Sequence, residues 1–128
     1  MQNIFINILL VAIIITLFAC DSGPLTPQDI VFPQKDISYN KHLQPMFDLS
    51  CCNSGCHGDS KAGGVNLTSY INLFQTAGLV SPGDSINSTL SQIMSEKLPH
   101  SYILIRDITT LNQRQGVSLW IKEGARNN

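Results

Sequence analysis

Apolar positions divide the chain into one continuous run and several interrupted ones. Residues 4–19 are apolar apart from Asn7 and Thr16, and nothing charged precedes or interrupts them. A helix that spans a bilayer needs about 20 apolar residues. This run is shorter and N-terminal, which predicts a signal-peptide core over residues 1–19. From residue 38 the spacing becomes helical. Tyr39, Leu43, Met46 and Phe47 fall on one face, with Ser38 or Asn40 as the N-cap. Pro45 predicts a break or kink in that helix, because it lacks the N–H an interior position needs. Thr68 opens a short helix through Phe74, with Tyr70, Leu73 and Phe74 on one side. Ile86, Leu90, Ile93 and Met94 mark a third helix that starts between residues 84 and 88 and stops at Pro99. The clearest helix is the last. Thr110 and Gln113 have capping-box spacing, Leu111, Val117, Trp120 and Ile121 share a face, and Gly124 is a suitable stop.

The intervals carry turn and linker signals. Pro24, Pro27 and Pro33 punctuate a stretch that reads as a linker over residues 20–35. Residues 65–67 look extended. In Val80-Ser81-Pro82-Gly83-Asp84, Pro-Gly suits the central positions of a type II turn. Tyr102-Ile103-Leu104-Ile105 has β propensity, and residues 100–109 are expected to form an extended loop over the core. Gly116 lies inside the last helix at a cost of about 1 kcal/mol relative to Ala, so close approach to another helix is expected there. The expected fold class is all-α, with three to four short helices in one domain over residues 36–126.

Composition narrows the function. The chain has 128 residues and a net charge of −1, room for one ordinary domain with no electrostatic signature of nucleic-acid binding. Aromatic residues make up 7 % of it, so a bound cofactor would help a small core. No Ser-His-Asp arrangement, paired-carboxylate motif or phosphate-cradling loop is present, and a catalytic role is not expected.

The candidate chemistry is concentrated in Cys51-Cys52-Asn53-Ser54-Gly55-Cys56-His57. A Cys pair followed directly by His is how a chain takes up haem c: two thiols add to the vinyl groups and the His becomes the proximal iron ligand. The usual spacing is C-x-x-C-H. Here it is widened, running either from Cys52 or from Cys51 to Cys56-His57. The fourth cysteine ends Leu17-Phe18-Ala19-Cys20, which resembles the bacterial lipoprotein box whose Cys carries the lipid. The alternative is an uncleaved membrane anchor with a buried Cys20. Both readings place the remaining cysteines outside the cytoplasm, where unused thiols oxidise.

Several further segments, in order, resemble small class I cytochrome c domains of bacterial envelope proteins, including the planctomycete-type group. Leu43-Gln44-Pro45-Met46-Phe47 is similar to the family's segment ahead of the haem motif, and Cys56-His57-Gly58 to its C-H-G. Gly63-Gly64-Val65-Asn66-Leu67 resembles its glycine-rich lead into an apolar piece. Ser81-Pro82-Gly83-Asp84 with Ser88 and Leu90 resembles its V-P-G-D segment. Leu111-x-x-Gln113 with Trp120-Ile121-x-x-Gly124-Ala125 resembles its terminal helix. The resemblance covers residues 36–126. It implies a cytochrome c-like fold wrapped around one covalent haem c.

The family places an aromatic residue four positions before the first motif Cys, as Phe47 stands before Cys51. That implies thioethers at Cys51 and Cys56, with Cys52 as the extra thiol and the alternative attachment point. His57 is the proximal ligand by position. The expected cage is Phe47, Leu67, Tyr70, Leu73, Phe74 and Ile93, with Leu98, Val117, Trp120 and Ile121. Where the family supplies a distal Met, this chain reads Lys97-Leu98-Pro99-His100. His100 is the first candidate for the distal metal ligand, Met94 the second and an open site the third; His42 is expected to face solvent. The implied function is single-electron transfer at the bacterial cell envelope. The protein would be lipid-anchored through Cys20, periplasmic or at the cell surface, with other redox proteins as partners. Two other functions remain open: a haem-bearing sensor or ligand-binding module, and a non-haem interaction lipoprotein whose Cys/His cluster holds zinc or a disulfide. Four ligands within seven residues give poor tetrahedral geometry for zinc.

Overall fold

A computed structural model describes residues 26–53 and 55–128. The expected signal peptide and Cys20 lie outside those residues. Among the described residues the structure is helical and contains no strand, and no helix is long and apolar enough to cross a membrane.

The chain enters through a 3₁₀ turn, Pro27–Asp29, and a π-helical turn, Tyr39–Leu43, that runs into helix α1, Gln44–Ser50. After a 3₁₀ turn at Ile71–Phe74 come α2 (Thr89–Met94), α3 (Ile105–Ile108) and α4 (Leu111–Lys122). The Ser38 hydroxyl caps the π-helical turn by accepting from Lys41 N–H. The break expected at Pro45 is a change of pitch. Gln44 N–H reaches back to the Tyr39 carbonyl, five residues away, so Pro45 falls in the first turn of α1, where a missing N–H matters least.

Helix α4 organises the core. Its N-terminus carries both reciprocal bonds of a capping box between Thr110 and Gln113. Val117, Trp120 and Ile121 are fully buried, whereas Leu111 is exposed and does not share their face. Trp120 packs against Tyr39 and Tyr70 and donates its indole N–H to the Arg126 carbonyl at 2.9 Å. Helix α2 packs along α4, with the Ser91 and Ser118 hydroxyls 2.7 Å apart.

Gly116 is the place of close approach on α4, but what it admits is Phe32, not a helix: a Cβ there would overlap the phenyl ring. Asn112 accepts from Phe32 N–H at 2.7 Å and donates to its carbonyl at 3.0 Å, and Gln113 donates to the Ile30 carbonyl at 3.0 Å. The described part of the stretch expected as a linker is thus packed from Pro27 onward, with Ile30 and Phe32 buried. Near the other end of α4, the Glu123 carboxylate accepts from Asp36 and Ile37 N–H at 2.8 and 2.9 Å. The last residues also fold back. Ala125 is fully buried, and the Asn128 carbonyl accepts from Asn40 N–H at 3.0 Å.

Two expectations between residues 84 and 109 shift. The third helix begins only at Thr89, and Ile86 is exposed, because Asp84 holds residues 84–87 in a turn by accepting from Asn87. Residues 100–109 are not wholly extended. Ile105–Ile108 forms α3, closed by Thr109 donating its hydroxyl to the Ile105 carbonyl at 2.6 Å. The Pro82-Gly83 turn is as expected: Gly83 has φ +84° and Asp84 N–H donates to the Ser81 carbonyl at 2.9 Å.

Candidate functional site

The Cys51–His57 stretch leaves the C-terminus of α1. Cys51 and Cys52 N–H both donate to the Phe47 carbonyl, at 2.7 and 2.8 Å. The loop then closes on itself: His57 N–H donates to the Cys51 carbonyl at 3.0 Å and Cys56 N–H to Asn53 at 2.9 Å. Two later segments pin its end. Gly63 N–H donates to the Cys56 carbonyl at 2.8 Å and Leu67 N–H to the His57 carbonyl at 2.9 Å.

These bonds fix the His57 imidazole. Its Nδ1 lies 3.2 Å from the Val65 carbonyl, so Nδ1 carries the proton and the Nε2 lone pair is left for the other side. Gly63 backs the ring: a Cβ there would stand 2.7 Å from Cε1 and 2.8 Å from Nδ1. The His57 Nε2 faces the Nε2 of His100 at 3.3 Å, with the ring planes 71° apart. The buried Nδ1 of His100 has no partner among the described residues.

Both histidines line an apolar cavity of about 240 Å³. Cys51 and Cys56 also line it; Cys52 does not. Its walls include Phe47, Leu67, Leu90, Ile93 and Met94, and no charged side chain reaches it. Part of the expected cage is elsewhere. Tyr70, Leu73, Val117, Trp120 and Ile121 belong to the core around α4, Phe74 is partly exposed, and Leu98 borders a second hollow. In their place, Val65, Leu79, Ile105 and Ile108 complete the cavity wall. Helical spacing marks which residues are buried but not on which side of the core they lie. His42 is not at the site: its Nδ1 lies 3.1 Å from Ser38 N, and its ring packs beside Phe32.

The thiols differ. Burial pushes the Cys51 thiol up to about 12, with Cys52 and Cys56 adding to the effect. The Cys52 thiol is pushed up to about 11 by burial and then by the Asp48 and Asp59 carboxylates. Neither is a ready thiolate nucleophile at neutral pH in the folded chain. Among the described residues, Cys51, Cys52 and Cys56 form no disulfide.

The donor set fits a haem c. Two thiols and two opposed imidazole nitrogens open on one apolar cavity, and among the described residues the two buried side-chain polar atoms without a partner, Ser50 Oγ and His100 Nδ1, belong to residues that line it. A zinc site would need about four ligands around one point, and among the described residues no three His, Cys, Asp or Glu side chains converge in that way. Sequence reasoning missed the Val65 carbonyl and Gly63 as the supports of His57; the Gly63-Gly64 pair is the signal that marked the place. No protein-family model matches the chain, and no curated protein or solved structure is found to be similar to it.

Proposed function

We propose that the chain is a monohaem c-type cytochrome that passes single electrons at the bacterial cell envelope. The observation that carries this reading is the pair His57 and His100, whose Nε2 atoms face each other at 3.3 Å beside a cavity that Cys51 and Cys56 also line. Haem supplies an iron that gains and loses one electron.

The residues divide the remaining work. Cys51 and Cys56 hold the group covalently, so a small domain keeps it without a deep pocket. His57, fixed by Val65 and Gly63, is the proximal ligand. His100 is the distal ligand, and Met94 is part of the wall. Ligation by two imidazoles favours a lower potential than His/Met ligation. The apolar lining excludes water and raises the energy of unbalanced charge, which further tunes the potential. A lipid at Cys20 would tether the domain to a membrane, where other redox proteins are its partners.

The test is expression alongside a haem-attachment system, then denaturing electrophoresis with haem staining. A stained band is expected. An unstained band from folded protein would remove the proposal.

A further inference from the structure

We infer that His100 is an exchangeable ligand: in the ferrous protein it leaves the iron to admit a small uncharged ligand such as carbon monoxide, and residues 99–103 move outward with it. This rests on the haem reading above.

The two histidines are held very differently. His57 has its Nδ1 on the Val65 carbonyl, Gly63 behind its ring and main-chain bonds through both its N–H and its carbonyl. The buried Nδ1 of His100 has no partner. A ligating imidazole gains orientation and basicity from a partner at its second nitrogen, and His100 lacks that support.

The segment that carries His100 is equally unsupported. Among the described residues, 99–103 make no main-chain hydrogen bond. The nearest anchors are Leu98 N–H to the Gln92 carbonyl at 3.2 Å and Asp107 N–H to the Leu104 carbonyl at 2.9 Å. Tyr102 is 96 % exposed and Leu104 is 51 % exposed, so these neighbours add little burial. Among the described residues, the one hydrogen bond from residues 99–103 is that between His100 Nε2 and His57. A segment without main-chain hydrogen bonds opens more readily than one held inside a helix.

The spacing says which side yields. Two nitrogens on opposite sides of one metal stand about 4 Å apart, at about 2 Å per bond, and the imidazoles are 3.3 Å apart. His57 is fixed, so accommodation falls to the His100 segment. The cavity beside it is walled by Ile93, Met94, Ile105 and Ile108 and carries no charged side chain. It therefore suits an uncharged ligand over an anion, since a buried unpaired charge is costly. In the exchange, Nε2 of His100 leaves with its electron pair, the incoming ligand donates a pair in its place, and no electron is gained or lost.

The experiment adds carbon monoxide to the haem-loaded, reduced, full-length protein and follows absorption and limited proteolysis together. The absorption bands are expected to shift, while cleavage within residues 99–104 becomes roughly tenfold faster as the segment is released and α4 stays uncut. His100→Ala is expected to bind carbon monoxide with no further change in cleavage. Haem-loaded protein whose bands do not move overturns the inference and leaves the haem reading standing. So does carbon monoxide binding with residues 99–104 unchanged. A chain that takes up no haem overturns both.

Discussion

Gly63 stands directly behind His57: a Cβ on Gly63 would lie 2.7 Å from Cε1 of the imidazole, well inside van der Waals contact. The ring cannot retreat without leaving the Val65 carbonyl at 3.2 Å. Gly63→Ala is therefore expected to cost about 1–3 kcal/mol of stability through overpacking and to disturb the proximal ligand. Chemical denaturation measures the first effect. The absorption spectrum of the haem-loaded variant reads the second, as a partial loss of the low-spin form; a spectrum and stability like wild type would show that the glycine is not what positions the ring.

Phe32 occupies the space beside Gly116 in α4. Ala at 116 would gain about 1 kcal/mol of helix propensity, but the Phe32 ring would have to move, at about 1–3 kcal/mol. Gly116→Ala is expected to be destabilising in wild type and stabilising in a Phe32→Ala background. Urea unfolding of the four proteins of this cycle decides it, and additive effects would contradict the packing.

Cys52 does not line the cavity that Cys51 and Cys56 share. In haem-loaded protein, alkylation after unfolding, read by peptide mass spectrometry, is expected to label Cys52 and leave Cys51 and Cys56 unlabelled. Cys52→Ser is expected to retain two thioethers and Cys51→Ser only one. Label on Cys51 in place of Cys52 would reverse the assignment.

Hydrogen bonds from the Asn87 side chain and main chain hold the Asp84 carboxyl below its ordinary value of 3.8. A lowered pKa in the folded state gives stability that is fully present above the unfolded value and is lost as pH falls through the folded one. Thermal stability is thus expected to fall below about pH 4, with a shallower dependence in Asp84→Asn. Identical pH profiles for the two proteins would count against the bond.

Much of this was legible because it is local. The Thr110–Gln113 cap and the Pro82-Gly83 turn depend on residues within one turn of chain, and both form as read. The helix at Ile105–Ile108 was not legible, since four residues with two β-branched side chains give no period and resemble a strand. The docking of Phe32 on Gly116 joins residues 84 positions apart and leaves only an unexplained glycine in the sequence. At the site, the motif and its neighbours suggested His57, Cys51, Cys56 and His100, and the fold brings these residues to one cavity. The cage was read less well: Trp120 and Ile121 are buried as their spacing indicates, but Trp120 packs against Tyr39 and Tyr70 and neither residue lines the cavity.

The most direct measurement is the low-temperature electron paramagnetic resonance spectrum of the oxidised, haem-loaded protein, taken for wild type and for His100→Ala. With His57 and His100 as the two axial ligands, wild type gives a low-spin ferric signal. His100→Ala keeps its covalent haem and turns high-spin. A low-spin signal that persists unchanged in His100→Ala would contradict the account.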